Sequence, residues 1–461
     1  MGNNELEAVL QAADAKRAEY QAELCELLRI PSVSAVAAHA DDVRRAGRWV
    51  ADRFERMGFD CELVETGGHP IVVAERCDVP DAPTALVYGH YDVQPPDPLS
   101  EWITPPFEPT ERDGNLFARG ATDDKGQMLT HVFSAEAWLE AAGRLPVNLK
   151  YVIEGEEETG SPHLEEFVRE HTDRLAADVV VISDTCQFAP GQPAITYGLR
   201  GVTYFELRLS GPKQDLHSGT FGGAVLNPLN ALAKLLAAIS DEKGRVQLDG
   251  FYDDVVSLTD AQRSRLADLS FNDESFRRKV GVKALGGEAG YSTLERRWAR
   301  PTYDVCGIWG GYQGQGAKTV LPARAGAKIS FRIVPNQNPD QIAASLRRFI
   351  EERCPPGIEF ELETFHGGRG VLFSLDSPYM KAASRAIARG FGREPVYIRE
   401  GGSIPVVSTF YGRLGADTLL LGWGLDDDNT HSPNEKFSLA DFQRGIRTSA
   451  CLWHELGRLE R

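Results

Sequence analysis

A chain of 461 residues, 42% hydrophobic and 25% charged, carries enough apolar material for packed cores, and its length suits two large domains or about three average ones. That composition excludes a disordered chain. Lys and Arg total 50 against 67 Asp and Glu, a formal net charge of −17 with no basic cluster to offset it, which excludes a nucleic-acid-binding or anionic-membrane surface.

The helical spacing of Leu6, Val9, Leu10, Ala13, Leu24, Leu27 and Leu28 predicts a helix over 6–28. It stops before Pro31, because the residue preceding a proline is pushed out of the α region. A second helix is expected over 41–57, ended by Gly58, followed by strands at 61–65, 71–75 and 84–88. A helix over 127–142, a strand at 148–153, a helix at 163–170 and a strand at 178–182 continue the alternation. Short strands alternating with helices, some of them continuous apolar runs, predict an α/β domain whose mostly parallel sheet is covered on both faces.

From Val202 the texture changes. Residues 202–210 alternate apolar and polar, as a half-buried antiparallel strand does, and a helix at 228–239 follows. A polar stretch of little periodicity runs to about residue 300, then a strand at 327–334, a helix at 339–353 and a strand at 358–364. The glycine-rich segment 307–316 lacks the strand–GxGxxG–helix setting of a dinucleotide site and reads as a flexible loop. The α/β texture returns with a helix at 379–391, a strand at 418–421 and a closing helix at 439–456. On sequence, the chain is a discontinuous α/β domain (1–200 and 376–461) with an α+β module inserted over 201–375.

Seven cysteines, odd in number, widely scattered and without a C-x-x-C, fit reduced thiols in a cytoplasm rather than a disulfide scaffold. Residues 1–15 show no apolar signal core, and no apolar run approaches the ~20 residues of a membrane span. The expected location is cytoplasmic, with no membrane partner.

Functional groups in open α/β sheets gather beyond the carboxyl ends of strands. Here those positions hold His90 and Asp92, then Glu156, Glu157 and Glu158, then Asp184, and, after an acidic loop, His431. Asp123 and Asp124 stand just ahead of a helix. Taken singly, a His-x-Asp is ordinarily a surface pair, a Glu run a solvated face, and Asp-Asp before a helix an N-cap. Their recurrence at strand ends favours one site, because clustered carboxylates repel unless a divalent cation joins them. Imidazole plus carboxylate donors suit zinc, with manganese or cobalt feasible.

The segments Gly89-His90-Tyr91-Asp92-Val93-Gln94-Pro95, 119–126, Glu157-Glu158-Thr159-Gly160-Ser161, Ser183-Asp184, Asp215-Leu216-His217-Ser218-Gly219 and His431-Ser432-Pro433-Asn434-Glu435 together resemble the signature set of the M20 family of metallopeptidases, in its dipeptidase branch. The resemblance implies a zinc-exopeptidase-like α/β catalytic domain with an inserted, ferredoxin-like α+β domain serving as lid and dimer interface. It implies two divalent metal ions per subunit: His90, Asp123 and Asp184 would bind one zinc and Asp123, Glu158 and His431 the other, with Asp123 bridging. Asp92 would orient His90 through its other ring nitrogen. Glu157 would be the general base that takes a proton from the metal-bridging water and passes it to the leaving amine. An Asp at 184 is similar to the dipeptidase and aminoacylase branches, whereas Glu156 departs from the neutral residue usual before the Glu pair.

By the same resemblance His217 would reach the partner subunit's active site and stabilise the oxyanion. Arg332 would pair with the substrate's terminal carboxylate, and Thr319 and Ser403 would add hydrogen bonds there. The implied enzyme is a cytosolic homodimeric exopeptidase cleaving dipeptides or short peptides with a free carboxyl terminus. An amidohydrolase acting on N-acyl or N-carbamoyl amino acids would keep the same metals. A non-catalytic homologue would have lost Glu157 or Asp123, and both are present.

Overall fold

Glycine and proline punctuate the chain into short strands and helices whose apolar runs are too continuous to face water on either side, so the sheet they form lies inside. The computed structural model describes residues 2–402 and 404–459. The chain divides into two compact units, one comprising 1–197, 373–398 and 405–461, the other 198–372 and 399–404.

In the first unit the strands run in the order Asp60–Val64, Ile71–Arg76, Asn148–Glu154, Thr84–His90, Val179–Ile182, Asp417–Gly422 and Ala194–Leu199. The four strands from Asn148–Glu154 to Asp417–Gly422 are mutually parallel, and the flanking pairings are antiparallel. Thr84–His90 and Val179–Ile182 are buried at every position, as strands covered on both faces must be. The helix Lys125–Ala142 packs on Thr84–His90 and is buried without interruption from Lys125 to Trp138, its polar residues Lys125, Gln127, Thr130, His131 and Ser134 all finding hydrogen-bond partners inside. Helix Leu439–Leu456 packs against it, started by Ser438, whose hydroxyl accepts from Asp441 N–H at 3.2 Å.

The second unit has a four-stranded antiparallel sheet in the order Thr302–Gly310, Arg324–Ile333, Gly201–Ser210, Glu359–Gly368. Helix Pro228–Ala238 follows the first of these strands in sequence and helix Pro339–Arg353 the third, a β-α-β-β-α-β, ferredoxin-like arrangement. Strand Gly201–Ser210 buries alternate residues, and Phe205, Leu207 and Leu209 meet Leu232, Leu235, Leu346 and Phe349 in the core.

Several local expectations change. The single helix over 6–28 is two, Asn3–Ala15 and Arg17–Leu28, meeting at Lys16, whose ψ of 6° leaves the helical region and whose ammonium group reaches Glu140. Of the glycine-rich stretch 307–316, residues 307–310 end the edge strand Thr302–Gly310, where Gly307 follows a bulge after Val305, while 311–316 form the expected loop. The polar stretch before residue 300 holds three helices, Asp260–Asp268, Asp273–Lys279 and Thr293–Trp298, each begun by a side-chain cap. All seven cysteines are free thiols, and no described helix is long and apolar enough to cross a membrane.

Candidate metal centre and active site

Parallel strands pointing the same way deliver their carboxyl ends to one edge of the sheet, and that edge carries the acidic loops. Strand Thr84–His90 ends on His90 itself. Asn148–Glu154 leads into the short 3-10 turn Glu157–Thr159, and Val179–Ile182 into Ser183 and Asp184. Asp417–Gly422 leads to the loop holding His431, and Asp123 sits two residues before helix Lys125–Ala142, joined to Asp124 by a cis peptide bond.

These loops bring five side chains together. His90, Asp123 and Asp184 each offer a ligand atom within 4.8 Å of the others, and Asp123, Glu158 and His431 do the same. Asp123 belongs to both groups: its Oδ1 lies 3.1 Å from His90 Nε2 and its Oδ2 lies 2.9 Å from His431 Nε2. His431 Nε2 is also 3.2 Å from Glu158 Oε2. His431 reaches this position with a left-handed backbone, φ +59°, uncommon for a residue other than glycine.

The donor set fits divalent cations. His90 Nε2 is buried, and although Asp123 stands beside it, it meets no acceptor at hydrogen-bond angle. Burial drives the Asp184 carboxyl well above the ordinary range, and the charges of Asp123 and Glu157 push the same way. Burial likewise raises Glu157 to about 7, with Glu158, Asp123 and Asp92 adding to the rise and His90 opposing it. Hydrogen bonds to Asp123 and Glu158 lift His431 to about 10, against its partial burial. Burial opposes the charged form of His90, but the Asp123 and Asp92 carboxylates raise it well above the usual imidazole range. Without a metal the two imidazolium rings are the cations that balance the carboxylates, a place divalent ions can take.

A further layer holds these groups. The fully buried Asp92 carboxylate lies 3.4 Å from His90 Nδ1, which also approaches the Asp92 carbonyl at 3.2 Å. The same carboxylate accepts from the N–H groups of Glu157 and Glu158, at 3.3 and 3.1 Å, and from the Ser34 hydroxyl at 2.6 Å, so it fixes two loops at once. Gln94 Nε2 donates to Glu158 Oε2 at 2.8 Å. Glu156 is engaged elsewhere, by His163 Nδ1 at 2.8 Å and His69 N–H at 3.0 Å. Ser34 and His69 carry no sequence signal of their own, since each acts through a contact between distant segments; Gln94 stands inside the 89–95 segment and His163 seven residues from Glu156, but the sequence reports neither contact.

His217, Thr319 and Arg332 lie in the second unit. His217 is exposed in the short strand Leu216–His217, and its Nδ1 accepts from Gly219 N–H at 3.0 Å. Thr319 is its neighbour across the pairing with Val320–Leu321, its carbonyl accepting from Ser218 N–H at 3.1 Å. Arg332 is half-buried in strand Arg324–Ile333, close enough to Arg200 for the two charges to repel. Ser403 lies outside the described residues.

Comparison with known proteins is consistent across most of the chain. Residues 86–455 match the model of Peptidase family M20/M25/M40, a span that includes every member of the five-residue cluster. The chain is 34% identical to the Cys-Gly metallodipeptidase dug1 of Schizosaccharomyces pombe, over 98% of each chain. Among solved structures, human carnosine dipeptidase 1 is 34% identical with a TM-score of 0.83, covering 98% of this chain and 99% of that one. An M20 family metallo-carboxypeptidase from Sulfolobus solfataricus is also 34% identical, with a TM-score of 0.85 over 96% of this chain and all of that one, at 100%. By sequence and by structure, the chain belongs to peptidase family M20/M25/M40 and is a peptide-bond hydrolase.

Proposed function

We propose that this chain is a two-metal dipeptidase that cleaves the peptide bond of dipeptides or short peptides bearing a free carboxyl terminus. The observation that carries it is the sharing of one carboxylate: Asp123 faces His90 through one oxygen and His431 through the other. His90, Asp123 and Asp184 would hold one cation and Asp123, Glu158 and His431 the second; their mixed nitrogen and oxygen donors suit zinc best and admit manganese or cobalt. Such ions, when bound, supply Lewis acidity toward the scissile carbonyl and a more acidic water.

The protein's own groups do the rest. Glu157, raised to about 7, accepts a proton from the attacking water near neutral pH and returns it to the leaving amine. Asp92 keeps His90 and the Glu157–Glu158 turn in fixed register. Arg332 presents a guanidinium fork to the substrate's terminal carboxylate, with Thr319 and Ser403 as further hydrogen-bonding partners. The second unit serves as lid and dimer interface, and His217 of the partner subunit stabilises the oxyanion. The enzyme works in the cytoplasm, in keeping with its seven free thiols. Dipeptidase relatives over nearly the full length support the substrate class.

The test is turnover after chelation and reconstitution with zinc, manganese or cobalt. The panel contains Cys-Gly, β-Ala-His and other dipeptides, their C-terminal amides, and N-acyl and N-carbamoyl amino acids. Metal-dependent cleavage of the free dipeptides is expected. Cleavage of the acylated amino acids alone would overturn the dipeptide assignment, and failure of every metal to restore hydrolysis would overturn the metal chemistry.

A further inference from the structure

Glu435 is neither a metal ligand nor a proton carrier in the proposed chemistry, yet its carboxylate is fully buried and accepts four hydrogen bonds. Oε1 takes the N–H groups of Thr122 and Asp123 at 3.0 and 3.2 Å; Oε2 takes Arg119 Nη1 at 2.7 Å and Gly120 N–H at 3.0 Å. Three of these donors are backbone amides of the loop that ends on Asp123. A second buried acid braces the same loop. Asp428 Oδ2 lies 3.0 Å from Thr122 Oγ1 and accepts from Leu425 N–H at 2.8 Å, while its Oδ1 meets Lys436 Nζ at 2.8 Å. Backbone bonds complete the frame: Ala118 N–H donates to Glu435 O at 3.1 Å and Lys436 N–H to Asp428 O at 2.9 Å.

The 118–123 segment and the 428–436 loop are therefore tied together, and they carry Asp123, the member shared by the two ligand groups, and His431, 2.9 Å from it in the second group. Burying a carboxylate is costly unless its acceptor sites are filled, and a core built for stability alone is often served as well by apolar side chains. An acid that spends its acceptors on the peptide groups bearing a ligand is placed to fix that ligand.

We infer that Glu435 is a positioning residue for Asp123, holding the backbone from which the shared carboxylate projects and so setting the affinity for the cations. The inference rests on the two-cation proposal. Glu435→Gln puts an amide NH2 where Arg119 and Gly120 both donate, or, turned over, where Thr122 and Asp123 donate; either way a donor meets donors.

The experiment titrates chelator-stripped protein with zinc alone, in competition with a chromogenic chelator, alongside amide hydrogen exchange of the stripped protein. Glu435→Gln should bind zinc roughly 10–100-fold more weakly at one site or more, with faster exchange at 120–123. Asp428→Asn should weaken zinc binding in the same direction. Glu288→Gln is the control: that buried acid accepts from Arg300 Nε and Nη2 at 2.7 and 2.8 Å in the second unit, so its loss should lower thermal stability and leave zinc affinity unchanged. Zinc affinities of Glu435→Gln within about two-fold of wild type, well short of the effect expected of such a partner, would reduce Glu435 to a structural acid and overturn the inference. Should Glu435→Gln fail to fold, wild-type affinity in Asp428→Asn overturns it equally. Wild-type protein that binds no zinc would overturn both this inference and the proposal beneath it.

Discussion

Glu156 and His163 are joined at 2.8 Å, Oε2 to Nδ1, which turns the Glu156 carboxylate to a hydrogen-bonding partner of its own while the next residue, Glu157, keeps its carboxylate in the field of His90, Glu158 and Asp123. Adjacent acids thus have separate surroundings, and the proposed mechanism gives them separate duties. Glu157→Gln should lose roughly 10²–10⁴-fold in kcat with metal content near wild type. Glu156→Gln should keep most turnover and lose about 1–3 kcal/mol of stability through its weakened contacts. Kinetics, metal analysis and urea unfolding of the two variants check the pair; equal loss of kcat in both would contradict the division.

On the proposed metal chemistry, an ion entering the cluster must displace the protons that stand in for it. His90 and His431 both hold theirs above the usual imidazole range in the metal-free protein, His431 up to about 10. Both rings therefore favour the protonated form before binding and must be deprotonated to ligate. Zinc binding should release protons, and apparent affinity should rise as pH increases from 6 toward 9. Calorimetry in buffers of different ionisation enthalpy measures the release directly; a binding heat independent of buffer would contradict it.

His131 makes a separate acid-sensitive contribution. It is fully buried in helix Lys125–Ala142, between Ser183 Oγ at 2.7 Å and Ser449 Oγ at 3.0 Å, and burial lowers it to about 3. The unfolded chain binds a proton here near pH 6.5 and the folded chain does not, so this stability is complete above that pH and declines as pH falls from there toward 3. The advantage of wild type over His131→Gln should accordingly shrink between pH 7 and pH 5, by roughly 2 kcal/mol for one such proton. Urea unfolding of the stripped proteins at the two pH values gives the difference, which must diminish in acid.

Arg332→Lys tests the recognition of the terminal carboxylate. Replacing the planar fork by a point charge should cost about 1.5–3 kcal/mol, or roughly ten- to a hundredfold in KM, for a free dipeptide. Its C-terminal amide should show little difference between variant and wild type. Equal penalties on both substrates would remove Arg332 from that role.

The sheet edge was readable because apolar runs such as Val179–Ile182 stop abruptly at acids, and a covered parallel strand leaves few alternatives. The partners of those acids were not, since Glu435 meets its amides 312 to 315 residues away in sequence, a distance no local pattern reports. Edge strand Thr302–Gly310 was hidden by its glycines and by exposure that spoils the two-residue period. The helices Asp260–Asp268 and Thr293–Trp298 did announce themselves, through the Thr259–Gln262 and Ser292–Glu295 capping boxes, but without the apolar face that makes a helix conspicuous. The return of residues 399–404 to the second unit has no signature in composition at all.

Strand Asp417–Gly422 occupies a slot between Val179–Ile182 and Ala194–Leu199, both made more than 200 residues earlier in the chain. A nascent polypeptide emerging from the ribosome therefore carries an open gap in its sheet until residues 417–422 are made, and a site lacking His431 until that residue follows. Closure of that gap is a late, long-range event of the kind that folds slowly. Assembly of the five-residue cluster consequently waits on the segment that carries His431, and a product terminated before it has the acids of the cluster without one of its two imidazoles.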